Sequence, residues 1–285
     1  MMKNKVSVVI PSFNALPLLK KNLPAVTDSL RNNDELILID DAGTDGSSKW
    51  FIKEFSCKSK EDKKDYQLYS GSFKKKNKQI DIVLIKNKTN ERFAKCVNRG
   101  IKEASGAYIF LLNNDVIPNK NVLKFLLPHF TNDKKNTLFA VSCHEQNKEG
   151  MSGGKNKLWF EKGMFIHSRA DNFKTGETAW APGGSSLFSK KKWGELKGMS
   201  LDYHPAYWED TDLSFRARKK GWKIMFEEDA KVKHFHETTN IDIFGKKRIE
   251  KISWRNSIIF LWKHANIWQK ISHIIWKPYW MIVRS

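Results

Sequence analysis

Residues 5–14 read KVSVVIPSFN, residues 35–41 read ELILIDD, and residues 107–115 read AYIFLLNND. Each stretch is an apolar, β-branched run that stops abruptly at polar or acidic residues, which predicts a buried strand followed by a loop. Apolar residues at helical spacing lie between these strands, at Leu16–Leu30 and Arg92–Ala104. Apolar strands that alternate with helices predict an α/β fold, with a mostly parallel sheet and helices on both faces.

The predicted strands of the first half are Lys5–Ile10, Glu35–Ile39, Ile80–Ile85 and Ala107–Leu112. The carboxyl ends of parallel strands meet at one edge of the sheet, where ligands bind. We therefore expect three loops to converge there: Pro11–Asn14, Asp40-Asp41 and Asn113–Asp115. Such oxygen-rich loops can bind a nucleotide or hold Mg²⁺ or Mn²⁺. Turn formation and helix capping explain each loop at least as well when it is considered alone.

An acidic segment in the second half predicts a helix over Trp208–Lys220, WEDTDLSFRARKK. Its first turn holds Glu209, Asp210 and Asp212, a group that can supply a general base for a sugar hydroxyl. The competing explanation is stabilisation of the helix N-terminus, with Asp212 paired to Arg216 four residues on. Further on, the sequence predicts short strands at Trp222–Phe226 and Lys231–Phe235.

Two histidines, His234 and His236, alternate with Phe235 in the last of these predicted strands. Both imidazoles would lie on the same side of the strand, and either could bind a metal ion. A structural role is the more common one for a single histidine.

The chain has 285 residues, and 51 Lys+Arg against 31 Asp+Glu give it a formal net charge of +20. This length fits one large α/β domain or two small ones. No run reaches the roughly 18 apolar residues of a membrane-spanning helix, which argues against an integral membrane protein. Three cysteines without CxxC spacing favour a reducing compartment.

Positive charge is concentrated in two segments. Residues 53–78 contain nine lysines and four acidic residues, which predicts a solvated insertion. Residues 246–285 contain nine Lys+Arg, one acidic residue and five of the eleven tryptophans. Amphipathic helices are expected there: Arg255–Ala265 packing on the rest of the chain, and Trp268–Arg284 contacting an anionic membrane surface.

Nucleic-acid binding is the main alternative from another functional class, because a basic, aromatic-rich chain can bind phosphates. However, the lysines are dispersed or lie in the two segments above. Helix-turn-helix, RRM and zinc-finger patterns are missing from the sequence. We therefore expect no nucleic-acid partner.

Six motifs occur in an order that resembles glycosyltransferase family 2, and they cover most of residues 5–240: SVVIPSFNA, LILIDDAGTDGS, ERFAKCVNRGIKEASGAYIFLLNNDV, APGGSSLFSKKKW, YWEDTDLSFRARKKGWK and VKHFHETT. The resemblance implies a GT-A fold. It is strongest to bacterial, rhamnosyltransferase-like enzymes of surface-polysaccharide synthesis. The implied activity is inverting transfer of a sugar from a nucleotide-diphosphate donor to a hydroxyl of a glycan or lipid-linked acceptor, with Mg²⁺ or Mn²⁺. A polyprenyl-phosphate acceptor and a non-catalytic scaffold are the alternatives.

The resemblance also implies roles for individual residues. The donor nucleotide would be bound by Pro11, Ser12, Asn14, Asp40, Asp41, Arg92 and Asn114. The donor and acceptor wall would be formed by Gly183, Gly184, Ser185 and Trp208. Asp210 would be the catalytic base, with Glu209 beside it, and Asp115 and His234 would bind the metal. One departure is that the family's DxD-type position reads Asn113-Asn114-Asp115, which leaves a single carboxylate for the metal.

We expect a GT-A catalytic domain at residues 1–240 and a basic, Trp-rich helical tail at 241–285. Within the first, residues 1–116 would be the nucleotide-binding half and 117–240 the acceptor and catalytic half. The expected location is the cytoplasm, peripheral on the inner face of the cell membrane.

Overall fold

A computed structural model describes residues 4–75, 77–234 and 245–283. The strands are β1 (Val6–Ser12), β2 (Glu35–Asp40), β3 (Lys58–Asp62), β4 (Tyr66–Lys75), β5 (Lys78–Asn87), β6 (Tyr108–Leu112), β7 (Val116–Pro118), β8 (Leu138–Gln146), β9 (Ser152–Gly153), β10 (Asn156–Glu161), β11 (Met164–Arg169), β12 (Gly176–Glu177), β13 (Ser185–Ser189) and β14 (Lys223–His234). The helices are α1 (Leu16–Ser29), α2 (Ser47–Glu54), α3 (Arg92–Glu103), α4 (Val122–Thr131), α5 (Lys190–Glu195), α6 (Glu209–Lys219), α7 (Lys246–His264) and α8 (Ile267–Val283).

One large sheet organises the chain, in the order β12-β14-β8-β13-β6-β1-β2-β5-β4-β3. Strands β6, β1, β2 and β5 pair in parallel, and β14 pairs in parallel with β8. Strand β13 lies antiparallel between β6 and β8, so β8 and β14 run in the same direction as the central strands. One edge of the sheet, called the shared edge below, therefore contains the carboxyl ends of five strands: β1, β2, β6, β8 and β14.

Alternating side chains of the strands form two hydrophobic layers. Val8 and Ile10 of β1 pack with α1, α2 and α4 on one face of the sheet. Val9 packs with α3, α5 and α6 on the other face. Because both faces are covered, the central strands are apolar throughout, as Leu36–Ile39 of β2 show. The structure confirms the α/β class and the mostly parallel sheet.

The predicted strands and helices of the first half are present, with small differences at their ends. Strand β1 continues past Pro11 to Ser12. Proline has no N–H to donate, but this disrupts no pairing with β6, because that pairing ends at Val9. Helix α1 begins at Leu16 with Pro17 in its first turn, a position that needs no backbone donor. Helix α4 and strand β8 belong to the second half and are among its elements that were not predicted.

The described part of the lysine-rich segment 53–78 is largely solvent-exposed, as expected, but it forms strands of the sheet and is not an insertion outside it. It forms β3 and β4, and β4 pairs with β5 along its whole length, from Tyr66 to Lys75. The apolar content of the segment is low because β3 is the outermost strand on this side of the sheet. Strand β3 is exposed throughout, while Leu68 of β4 is buried. Backbone pairing, with lysines facing solvent, stabilises this edge strand.

The two short strands predicted at 222–226 and 231–235 are one strand, β14, with a register irregularity between Glu227 and Lys231. This irregularity explains the polar interruption that separated them in the sequence. Phe235, His236 and the expected domain boundary at 240/241 lie outside the described residues.

The tail contains two helices, as expected. In α7, Phe260 and Leu261 are fully buried in a third hydrophobic cluster with Phe165 of β11 and Trp208. Asn256 donates from Nδ2 to the carbonyl oxygens of Tyr203, Ala206 and Tyr207. These contacts agree with the prediction that Arg255–Ala265 packs against the rest of the chain. Along the described residues, no helix is both long and apolar enough to cross a membrane.

Candidate active site

The loops that follow β1 and β6 meet at the shared edge, as predicted. Nδ2 of Asn114 donates to Oγ of Ser12 at 3.3 Å, and Nδ2 of Asn22 donates to the carbonyl oxygen of Asn114 at 2.8 Å. The loop after β2 joins them, because Oδ1 of Asn14 accepts from the N–H of Thr44 at 2.7 Å. Asn14 adopts a φ of +47°, which asparagine tolerates better than most residues.

Asp40 and Asp41 are both engaged by backbone and side-chain donors. Asp40 accepts from the N–H of Gly43 at 2.8 Å and from Oγ of Ser48. Asp41 accepts from the N–H of Glu91 and of Arg92, at 2.8 and 2.9 Å. These bonds fix the loop after β2 and the start of α3. They agree with turn formation and helix capping, which the sequence left open as the competing explanation for Asp40 and Asp41. Contact of either carboxylate with a nucleoside stays a prediction.

Asp115 and His234 lie side by side because β7 pairs with β14, in a register that places Val116 opposite His234. Nε2 of His234 is 3.4 Å from Oδ1 of Asp115, and Nδ1 is 3.3 Å from Oε1 of Glu145. Burial lowers the pKa of His234, but the two carboxylates outweigh burial and raise it to about 10. Only the neutral imidazole can bind a metal ion, so a cation bound at His234 would have to displace this proton.

The residues at this point fit a divalent cation. Oδ1 of Asp115 is buried and accepts no hydrogen bond from the described residues, which leaves a carboxylate oxygen for a ligand. Asp115 and His234 provide the oxygen and nitrogen donors that Mn²⁺ and Mg²⁺ sites use. No group of three or more His, Cys, Asp or Glu side chains within the described ranges is arranged as a complete metal site. Further ligands would have to complete the coordination of a cation held there.

Gly183 and Gly184 allow two close approaches at the crevice. A Cβ on Gly184 would lie 2.5 Å from Nδ2 of Asn113, and a Cβ on Gly183 would lie 3.2 Å from the Phe93 ring. The carbonyl oxygen of Gly184 accepts from the N–H of Asn113 at 3.0 Å. The Gly-Gly turn therefore packs directly on the loop that contains Asp115.

Glu209 and Asp210 begin α6, as the sequence predicted; Glu209 is buried and Asp210 is half-buried. Asp210 accepts from the N–H of Gly183 at 3.1 Å and from the N–H of Thr211 at 2.7 Å. Burial raises the pKa of Asp210 against these hydrogen bonds, which lower it. Burial and the adjacent Asp210 raise the pKa of Glu209 to about 8, and its Oε2 accepts no hydrogen bond within the described chain. A buried carboxylate with a raised pKa is suited to general base catalysis.

Asp212, the third acid of this turn, has a structural role. Its carboxylate accepts from Nε of Arg216 at 2.7 Å, from the Tyr203 hydroxyl at 2.9 Å, and lies 2.7 Å from Nε2 of His264. The expected pairing of Asp212 with Arg216 is confirmed. His264 ends α7, so this buried cluster attaches the tail to the helix that contains Asp210.

Trp208 precedes α6 and has a φ of +78°. Its indole is buried and packs on Phe260 of α7, with ring centroids 5.0 Å apart. This position differs from the expectation that Trp208 lines the crevice, because α7 covers the ring. The residue instead stabilises the turn that presents Glu209 and Asp210.

A sequence model of the family described as "Glycosyl transferase family 2" matches residues 7–196 of the chain. The chain belongs to glycosyl transferase family 2. The match spans the loops after β1, β2 and β6 and the Gly-Gly turn, so the family assignment includes the converging edge of the sheet.

Individual glycosyltransferases are also similar to the chain. An uncharacterized glycosyltransferase of Rickettsia bellii is 29% identical over 145 residues, which are 51% of this chain and 17% of that protein. The putative glycosyltransferase EpsE of Bacillus subtilis is 32% identical over 111 residues, 39% of this chain and 33% of EpsE. The aligned segment therefore spans a third or less of these relatives.

Solved structures show that the fold is GT-A. TarS of S. aureus superimposes with a TM-score of 0.58 at 15% identity, covering 83% of this chain and 60% of TarS. The mannosyltransferase PcManGT of Pyrobaculum calidifontis gives 0.58 at 13% identity, covering 95% of this chain and 73% of PcManGT.

Two residues of this family 2 chain lie at the site and were not predicted. Glu145 contacts His234 and accepts from the Ser185 hydroxyl, although it lies in a strand that was not predicted. An acid at the end of the apolar run FAVSC was the available signal. His167 of β11 is exposed but packs edge-on against Trp208, with ring centroids 5.1 Å apart; local desolvation lowers its pKa, and the charge of Asp210 raises it. No motif marked His167.

Proposed function

We propose that this chain is an inverting glycosyltransferase, which moves a sugar from a nucleotide-diphosphate donor to a hydroxyl of a glycan or lipid-linked acceptor in cell-surface polysaccharide synthesis. The observation that supports this best is the position of Asp210. It is a half-buried carboxylate at the start of α6, hydrogen-bonded to Gly183 beside the loop that contains Asp115. In this proposal, residues 1–240 form the catalytic domain and residues 241–285 the tail.

The proposed reaction is a single displacement. Asp210 takes the proton of the acceptor hydroxyl as the oxygen bonds to the anomeric carbon of the donor sugar. The bond between that carbon and the diphosphate oxygen breaks on the opposite side, which inverts the configuration. The hydrogen bond from Gly183 fixes the carboxylate, and its raised pKa makes it a stronger base than an exposed aspartate.

Asp115 and His234 would hold the divalent cation of the proposed enzyme, Mg²⁺ or Mn²⁺. When bound, this cation supplies positive charge that stabilises the nucleoside diphosphate as it leaves. PcManGT was crystallised with GDP-Man and Mn²⁺, and TarS with UDP-GlcNAc. These complexes support a nucleotide-sugar donor in this chain as part of the proposal.

The test is a panel of UDP-, GDP- and dTDP-sugars with Mn²⁺ or Mg²⁺, read by release of nucleoside diphosphate and by thermal shift. We expect one donor class to stabilise the protein and be consumed. Asp210→Asn should lower turnover by about 10²-fold or more, the usual contribution of a general base, with the thermal shift retained. The matched control is Asp171→Asn, which removes a surface carboxylate that pairs with Lys157. Turnover by Asp210→Asn close to that of the parent would contradict the assignment of the base.

The proposed cation ligands are tested by binding and not by turnover alone. Asp115→Asn and His234→Gln should each weaken Mn²⁺ binding, measured by calorimetry in the presence of the nucleoside diphosphate. Unchanged Mn²⁺ affinity in both variants would show that the cation binds elsewhere.

A further inference from the structure

Helix α8 exposes a row of large apolar side chains on the surface of the protein. Ile274 and Ile275 are 61% and 69% exposed, and Trp268 is 75% exposed. The row also includes Ile267, Ile271 and Ile282, so its members lie three, four or seven residues apart. This spacing places the side chains on one broad face. A contiguous apolar face that is exposed on the surface of a protein indicates an interaction site.

The opposite side of α8 is fixed to the hairpin formed by β10 and β11. Nδ1 of His273 lies 3.0 Å from the carbonyl oxygen of Gly163, and Nε1 of Trp280 donates to the carbonyl oxygen of Lys162 at 2.6 Å. The backbones of the hairpin and of α8 touch closely here, since a Cβ on Gly163 would lie 2.6 Å from the Cα of His273. The inner side of α8 is thus already packed, and its apolar outer face requires a different partner.

The charges around this face favour an anionic partner. Residues 267–283 contain Lys270 and Lys277 and no acidic residue. Nζ of Lys162, on the hairpin, lies 5.0 Å from the ring of Tyr279. A symmetric contact with a second copy of this chain would bring like-charged lysines together with no acid on the helix to neutralise them. The chemistry matches a lipid surface with negatively charged head groups.

We propose that the outer face of α8 docks on an anionic bilayer, with Ile274, Ile275 and Trp268 inserted at the level of the head groups. The helix lies in the plane of the membrane surface, because Lys270, Lys277 and Pro278 interrupt its apolar sequence. The hairpin to which it is fixed also contains His167, next to Trp208. The docked face is therefore one hairpin away from the proposed base. Docking is independent of the proposed transfer reaction, since it requires neither donor nor acceptor.

The experiment is co-sedimentation of the full chain with vesicles. One set contains equal parts of phosphatidylglycerol and phosphatidylcholine, and the other contains phosphatidylcholine alone. We expect binding to the anionic vesicles that is weakened by salt, and about tenfold weaker binding to the neutral ones. The double variant Ile274→Glu, Ile275→Glu should lose about tenfold or more in affinity for anionic vesicles. Both side chains are mostly exposed, so the melting temperature should be unchanged.

The matched control is the double variant Met151→Glu, Leu201→Glu, which adds the same charge at two other exposed apolar positions, 49% and 53% exposed. It should bind anionic vesicles as the parent does. Equal loss in both double variants would show that net charge alone governs binding and would overturn the proposal. Failure of the parent to sediment with anionic vesicles would overturn it too, as would a dimer in analytical ultracentrifugation that Ile274→Glu, Ile275→Glu dissociates.

Discussion

The backbone N–H of Gly183 donates a hydrogen bond to Oδ2 of Asp210 at 3.1 Å. This bond joins two motifs that are separated in the sequence, the Gly-Gly turn before β13 and the acidic start of α6. The neighbouring Gly184 packs on Asn113, so the proposed base and the proposed cation site are positioned by one turn. Substitutions at the turn should therefore affect catalysis more strongly than folding.

We expect the acidic limb of the pH–rate profile to lie above the range of an ordinary aspartate. Burial raises the pKa of Asp210, and the proposed base is active only when ionised, so kcat/KM should rise with pH as Asp210 loses its proton. Glu209→Gln should leave this limb in place, because Glu209, with a pKa of about 8, is still protonated and uncharged while Asp210 ionises. The measurement is kcat/KM against pH for both proteins. A limb that moves to lower pH in Glu209→Gln would show that Glu209 is charged while Asp210 titrates and would contradict this order of ionisation.

Gly184→Ala should lower turnover by about tenfold or more, because the new Cβ would displace Asn113, and small displacements at an active site are costly. The comparison is Gly194→Ala. Gly194 lies in α5 with no atom within 4 Å of its added Cβ, so alanine there should raise stability by about 0.5–1 kcal/mol. Activity assays and urea unfolding of the two variants measure these effects. Full activity in Gly184→Ala would show that Asn113 moves without consequence.

The shared edge, where the carboxyl ends of the strands meet, could be predicted from the sequence because apolar runs end sharply at Ser12, Asp40 and Leu112. Parallel strand order then brings their loops together. The lysine-rich β4 could not be predicted in this way, since backbone pairing with β5 and not side-chain burial defines it. Strand β14 looked like two strands because its ladder with β8 is interrupted after Glu227.

Family motifs mark Asp210, Asp115 and His234 as candidate site residues, and their catalytic and metal-binding roles stay predictions. Glu145 depends on tertiary structure: β8 must lie next to β14 for its carboxylate to reach His234. Trp208 also belongs to a matching motif, yet α7 buries its ring. Burial by a distant helix leaves no local signal in the sequence.

Glu145→Gln should weaken Mn²⁺ binding by about tenfold to a hundredfold, as is common when a group that orients a metal-binding histidine is changed. Glutamine keeps the size of the side chain and can accept from Ser185, but it loses the charge that faces Nδ1 of His234. Calorimetric titration of Mn²⁺ with nucleoside diphosphate present gives the affinity. Glu228→Gln, a change on β14 that affects a pair with Lys174, should have no effect. Equal affinities in the two variants would remove Glu145 from the proposed cation site.

Asp212→Asn should destabilise the protein by about 3 kcal/mol, because it breaks a buried charge cluster. Burial raises the pKa of Asp212, but His264 and Arg216 outweigh burial and lower it to about 2. A folded-state pKa below the ordinary value means that the stabilisation is complete above that value and is lost as pH falls toward 2. Urea unfolding at neutral and acidic pH should show the difference between parent and variant shrinking with acid.

The control for this cluster is Asp202→Asn. Asp202 pairs with Lys263 of α7 at 2.8 Å, and its side chain is 61% exposed. Removal of this exposed ion pair should change the free energy of unfolding by no more than about 0.5 kcal/mol. If both substitutions had the same small effect, the contact between Asp212 and His264 would not be what attaches α7 to the helix that contains the proposed base.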